Sequence, residues 1–444
     1  MSKLVYFPIE TKARELDEKL LLGYYTLEKG YDVIIGRKSF NASLIQKNNF
    51  GIVYNRRYYR GIGNENTQMF ISHDNEGLVY NIKSKSLRIN INSIPHLIIT
   101  WGKNQKELYL EKYPELESKI HSLGSPRFDL IQEPFLNYRY KLNKKIGKYG
   151  NYVLINTNFA TYNIDSWYET SINELVNKYM EPMKSEILSS YYFQKEIIPI
   201  YIRVIKKIAA NRLDINFILR PHPSENIDLW KKAFKKEKNI HVIYKYSSND
   251  WIKQAKLFIH TNCTTGIEAT FFKKPVIRFL PDTEHKEVFN TASYFGIELN
   301  EKELVERFNN IYEEQIIKDN QFGILSNYLA NTYSADSAKN IINLITHEYE
   351  KNFDLNEKAY DFKVSNSMIN LLYTIRYYLL QTRFLSRIMP GKIKRKIERG
   401  KKLGKITKKE LAQTLQGFNE ALNTQYKYKI TKIAADTFLI KNNM

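Results

Sequence analysis

Short apolar runs recur along the chain at residues 3–7, 33–35, 51–54 and 97–100, and between them lie stretches such as 12–29 whose apolar positions repeat with helical period. Strand-length apolar runs alternating with helices are the rhythm of βαβ units around a parallel sheet. A second series starts at residues 151–156 and continues through 216–220, 240–244, 257–260 and 275–279. Two α/β domains are therefore expected, at 1–140 and 151–350. Residues 141–150, rich in Lys, Asn and Gly and poor in periodicity, read as the linker. The pattern is helical again from about Asn300 to Tyr349, and residues 353–444 read as a separate, basic, helix-prone extension.

The chain length of 444 residues agrees with two domains and an appendage. With 43% apolar and 14% aromatic residues, the chain can bury enough surface to offset its ordering entropy, which excludes wholesale disorder. A single cysteine, Cys263, excludes a disulfide framework and a Cys-rich zinc site and points to the reducing cytosol. The first residues lack the apolar stretch of a signal peptide, and no run reaches the roughly 18 apolar residues of a membrane span. The expectation is a protein neither exported by that route nor integral to a membrane.

Charge sharpens the picture through its location. The formal net charge is +21, and twelve Lys or Arg against one acid, Glu398, fall between Arg383 and Lys409. Residues 369–380, just before, combine bulky aliphatics with three tyrosines. Aromatic and apolar residues beside a cationic cluster suit the surface of an anionic membrane, where each cation adds about 1 kcal/mol of attraction. A solvated basic helix packed on the core is the alternative. Nucleic acid is disfavoured, because no nucleic-acid module accompanies the cluster.

The sharpest chemical signal is Leu219-Arg220-Pro221-His222-Pro223-Ser224. A strand ends in Arg220 and two prolines flank His222, which holds the imidazole at the carboxyl edge of a sheet, where ligands bind in open α/β folds. His beside Arg suits donation to a phosphate leaving group. A Pro-rich turn with a hydrogen-bonded surface His is the competing reading. About forty residues later comes His260-Thr261-Asn262-Cys263-Thr264-Thr265-Gly266-Ile267-Glu268-Ala269. There a strand runs through hydroxyls and a glycine into a helix, whose free amides with Thr264 and Thr265 suit an anion, and whose Glu268 suits ribose hydroxyls. A capping cluster with Glu268 as dipole partner fits the same residues. Cys263 reads as a buried packing residue rather than a nucleophile.

Together these segments resemble the motifs of GT-B glycosyltransferases that use CMP-activated sugars, sialyl- and Kdo-transferases among them, and CDP-glycerol glycerophosphotransferases are similar in the same two places. The N-terminal half resembles bacterial surface-carbohydrate biosynthesis proteins in residues 8–16, in His73-Asp74-Asn75-Glu76-Gly77-Leu78 and in Gly124-Ser125-Pro126-Arg127-Phe128-Asp129. The resemblance spans roughly residues 4–345 and leaves the basic tail uncovered. It implies an α/β GT-B architecture, two Rossmann-like domains facing a cleft, here with a basic helical C-terminal extension. It also implies a metal-independent glycosyltransferase without a cofactor. The expected reaction transfers a pseudaminic, legionaminic, sialic or Kdo-type sugar from a CMP-sugar donor to a bacterial surface glycan or lipid-linked acceptor. Those enzymes carry an acidic-Gly loop that supplies the base; Asn75-Glu76-Gly77 has an amide at its first acidic position, so Glu76 or Asp74 is the expected base. Glu10 is a further catalytic candidate, and Glu10 and Arg14 equally suit an i,i+4 ion pair. Arg220, Ser224, Thr264, Thr265, Gly266, Glu268 and Asn158 are expected around the donor, His222 at its phosphate, and Arg14 and Arg127 as further contacts. No metal-site spacing is evident. The expected location is cytoplasmic, on the inner face of the bacterial plasma membrane through Arg383 to Lys409. Two rival readings are a CDP-glycerol or CDP-ribitol phosphotransferase of teichoic-acid-like polymer synthesis and a non-catalytic nucleotide-sugar-binding scaffold.

Overall fold

The computed structural model describes residues 3–58, 61–74, 77, 94–142, 145–164, 172, 176–177, 183–288, 290–353 and 405–442. Its strands are β1 (Leu4–Ile9), β2 (Asp32–Arg37), β3 (Gly51–Asn55), β4 (Gln68–His73), β5 (Leu97–Thr100), β6 (Ile120–Ser122), β7 (Tyr152–Asn156), β8 (Asn216–Arg220), β9 (Ile240–Val242), β10 (Leu257–His260), β11 (Val276–Phe279), β12 (Ile297–Leu299), β13 (Tyr428–Ala434) and β14 (Thr437–Asn442). They form two sheets, one in each of two compact units.

The first unit comprises the described residues within Met1–Gly77, Leu87–Arg139 and Ser326–Met444. Its sheet order is β13-β14-β2-β1-β3-β4-β5-β6, parallel from β2 to β6. Every residue of β1 is buried. Val5 and Phe7 face a core shared with Leu16 and Leu20, whereas Leu4 and Tyr6 pack with Leu44 and Ile45 on the opposite face. A strand buried on both faces has to be continuously apolar, which is why it reads as a run rather than an alternation.

The second unit comprises the described residues within Tyr140–Leu325. Its six parallel strands run β12-β11-β10-β7-β8-β9. Val153 and Ile155 pack against Ile197, Tyr201 and Trp230, and Tyr152 and Leu154 against Trp251 and Ile252.

Two boundaries differ from the sequence expectation. The second domain does not extend to 350, because the helix Ser337–Asn352 buries Ala338, Ile341, Ile342, Ile345 and Tyr349 in the core of the first unit. Its start is fixed by Asp129, whose carboxylate accepts from the amides of Ser337 (3.2 Å) and Ala338 (2.7 Å). Gly124 permits this approach: its φ is +85°, and a Cβ there would lie 2.4 Å from Ser337 Oγ and 2.6 Å from Ala330 O.

Nor is 353–444 a separate helical extension from Lys405 onward. The helix Lys408–Leu422 buries Leu411, Leu415 and Phe418 in the first core, and β14 pairs antiparallel with β2, so that β13 and β14 form the sheet's edge. The exposed lysines mask an amphipathic helix and a hairpin. Residues 354–404, which hold the tyrosine-rich run and the basic cluster up to Gly404, lie outside the described residues. Among the described residues no helix is long and apolar enough to cross a membrane.

Candidate functional site

In the second sheet the strand order reverses between β7 and β10. Such a switch point opens a crevice at the carboxyl ends of the strands, the usual ligand position in open α/β sheets. The loops leaving β7 and β10 are laced together there. Asn156 Nδ2 donates to Thr265 Oγ1 (2.9 Å) and to Ser248 Oγ (3.3 Å), and Asn158 Nδ2 donates to Asn262 Oδ1 (3.4 Å).

His222 follows β8. Its Nδ1 accepts from the amide of Ser224 at 3.2 Å, so in the neutral imidazole the proton resides on Nε2, which can then donate to a ligand. The main chain of this turn is held by Glu225, which is 4% exposed. Glu225 Oε1 accepts from the amides of His222 and Phe159 (both 3.0 Å) and from Thr157 Oγ1 (2.8 Å). Its Oε2 accepts from Trp230 Nε1 (2.8 Å) and Asn163 Nδ2 (3.3 Å). Burial raises the Glu225 pKa against these donors. Arg220 is buried and turned to the protein: its Nη atoms donate to Ser248 Oγ (3.2 Å) and Tyr246 O (2.9 Å). Burial lowers its pKa from the ordinary arginine value.

The 260–268 segment differs in part from its expected form. Thr264 occupies the N-cap of the helix Thr265–Phe271, yet its side chain makes no capping hydrogen bond, and the half-buried hydroxyls of Thr264 and Thr265 flank the laced loops. Gly266 serves packing, since a Cβ there would lie 2.5 Å from His260 Nε2. Glu268 is 2% exposed, which places it under the helix rather than open to a ribose. The Cys263 thiol is pushed up by burial, which keeps it protonated and consistent with packing.

In the first unit Asp74 follows β4 and is buried, with Arg56 Nε 3.5 Å from its Oδ1 and its carbonyl accepting from Trp101 Nε1 at 2.6 Å. Glu76 lies outside the described residues. Glu10 pairs with Lys38 rather than with Arg14, while Glu15 accepts the amides of Glu10 and Thr11 (both 3.1 Å). Burial acts to raise the Glu10 pKa, but Lys38, Arg56 and Lys19 outweigh it and hold the carboxyl below its usual value. Arg14 is exposed and Arg127 half-buried.

Neither a protein-family profile nor a curated protein matches the sequence. Solved structures do: a variant of the wall teichoic acid polymerase TagF is similar with a TM-score of 0.50 and 11% identity, over 79% of this chain and 89% of that one. A second TagF variant gives 0.50 and 11%, over 80% and 90%. The Methanocaldococcus jannaschii UDP-GlcNAc 2-epimerase gives 0.47 and 15%, over 78% and 100%. The fold is GT-B.

Within this GT-B chain, sequence reasoning missed three features because each joins distant segments. Glu225 stands next to the recognised motif but is defined by its donors from 157–163 and Trp230. Glu18 lines a crevice with Tyr54, His73, Asp74, Ser125 and Pro126, and burial, opposed by Arg127 and Lys19, raises its pKa to about 7. On its helix it looks like one more surface acid. Finally, Glu196, Glu284 and His285 bring three candidate metal-ligand atoms within 4.8 Å of one another. Glu196 and His285 are 89 positions apart, so no local spacing could show this.

Proposed function

We propose that the chain is a glycosyltransferase that moves an ulosonic acid from a CMP-activated donor to a bacterial surface glycan. The observation that carries this reading is His222 at the β8 edge, with its Nδ1 accepting from Ser224, so that the neutral ring carries its proton on Nε2, and its main chain fixed by buried Glu225. In the proposed reaction the bond between the sugar and the phosphate oxygen breaks. The electron pair leaves with CMP, and His222 Nε2–H stabilises that charge by donating to the phosphate. Thr264 and Thr265 contact the nucleotide, with Asn158 beside them. Arg220 acts through its charge and by bracing Ser248 and Tyr246, and Glu268 by supporting the helix. Acceptor activation falls to a carboxylate of the first unit. Glu76 keeps that role on its motif alone, and among the described carboxylates Glu18 suits it better than Asp74, which is buried against Arg56. The chemistry needs no metal, and the basic residues from Arg383 to Lys409 dock the protein on an anionic membrane surface.

The fold likeness to a teichoic acid polymerase favours one rival, a CDP-glycerol or CDP-ribitol phosphotransferase. A donor screen followed by nucleotide release separates the two. The expected result is CMP release from CMP-Kdo, CMP-sialic or CMP-pseudaminic acid and none from CDP-glycerol. Turnover of CDP-glycerol alone overturns the first reading in favour of the second, and binding without any consumption points to a scaffold.

A further inference from the structure

The first sheet has its own switch point, between β1 and β3, where the order 2-1-3-4-5-6 reverses. A small pocket, open to solvent, lies there and is lined by Glu10, Lys38, Arg56 and Arg57. Each residue follows directly from a parallel strand: Glu10 from β1, Lys38 from β2, and Arg56 with Arg57 from β3. The parallel register thus delivers three cations and one carboxylate to one carboxyl edge. Glu10 is taken up by Lys38, and Arg56 faces Asp74 behind the pocket. Arg57 has no such counter-charge among the described residues, and its buried Nε makes no hydrogen bond. With Asp74 counted, three cations face two carboxylates here, a balance that suits a bound anion.

The geometry points to a binding site for a phosphoryl group, held by Arg57 and Arg56 with Lys38. Two guanidinium forks present paired N–H donors that match phosphate oxygens, and the ammonium adds a compact third charge. A carboxylate ligand would leave donors of this set unused, whereas a phosphoryl dianion takes them up. This site goes beyond the donor reading, because it belongs to the other unit and to another ligand, a phosphate-bearing acceptor. The phosphate could be presented on a soluble glycan or on a lipid.

The test is calorimetric titration of the full chain with inorganic pyrophosphate while CMP is kept saturating, so that failure here is distinguishable from failure of the donor reading. The expected result is one pyrophosphate bound in the presence of CMP. Its affinity should fall at least about tenfold in Arg57→Ala and in Lys38→Ala and recover partly in Arg57→Lys, as expected when a charge-assisted contact is lost. Melting profiles like that of the unmodified protein show that the variants are folded. Glycerol 3-phosphate in solution and vesicles containing phosphatidic acid then separate the two sources, because Arg57→Ala weakens whichever presents the natural group. Pyrophosphate binding that is displaced by CMP, or that is equal in both alanine variants and the unmodified protein, overturns the assignment.

Discussion

Replacing His222 with alanine should lower the rate of transfer by about 10²- to 10⁴-fold, the range for loss of a positioned proton donor. The size of the effect follows from the geometry. Because Nδ1 accepts from the Ser224 amide, the neutral ring carries its proton on Nε2, the atom proposed to meet the departing phosphate. Arg220, the nearest cation in sequence, spends its Nη donors on Ser248 and Tyr246. The check is kcat at saturating donor, with CMP affinity measured separately. A large fall in kcat with CMP affinity changed only modestly is the expected pattern, since an interaction made mainly with the developing charge affects the rate more than ground-state binding. An unchanged kcat would remove His222 from the reaction.

Glu225→Ala should destabilise the second unit by about 3–5 kcal/mol, the range for uncoupling a buried charged network. Five donors converge on that carboxylate: two main-chain amides, the Thr157 hydroxyl, the Trp230 indole and the Asn163 amide. Truncation removes their shared acceptor, and although Asn163 keeps the Asn226 carbonyl (3.2 Å), an unsatisfied buried donor costs on the order of 1–3 kcal/mol. Glu225→Gln should be milder for stability but still harmful to activity. One of its atoms becomes a donor facing donors, which pushes the His222 turn out of place. Urea denaturation monitored by tryptophan fluorescence measures the first effect, since Trp230 is itself a partner. A midpoint equal to that of the unmodified protein would contradict the hub role.

The sequence pattern located the strands of both units where each is a continuous apolar run. β1, β3, β5, β7, β8, β10 and β11 all coincide with such runs, because burial on both faces demands them. β4 was not seen: Gln68 and His73 at its ends disguise a segment whose six residues are all buried. Gln68 is satisfied by the carbonyl of Ile45 at 2.9 Å, a contact that exists only after the chain has folded. The tail is disguised for a related reason. High lysine content hides the Leu411, Leu415 and Phe418 stripe of a helix, and nothing local reveals that β14 will pair with β2, about 400 residues away. In the candidate site, the residue types at the strand ends were legible because strand and turn chemistry place them. Whether a side chain faces outward was not. Glu268 reads as a ligand in sequence and lies under its helix in the structure. The 124–129 motif reads as a substrate contact through Arg127, and the anchoring of the helix Ser337–Asn352 by its Asp129 was not legible.

The central claim is that the β7/β10 switch point, faced by His222, is a cytidine-nucleotide donor site, and a crystal structure of the protein with CMP tests it most directly. CMP is expected at the carboxyl ends of β7 and β10, with its phosphate within hydrogen-bonding distance of His222 Nε2 and the Thr264 hydroxyl. CMP bound elsewhere, or a phosphate that makes no contact with His222, would contradict it.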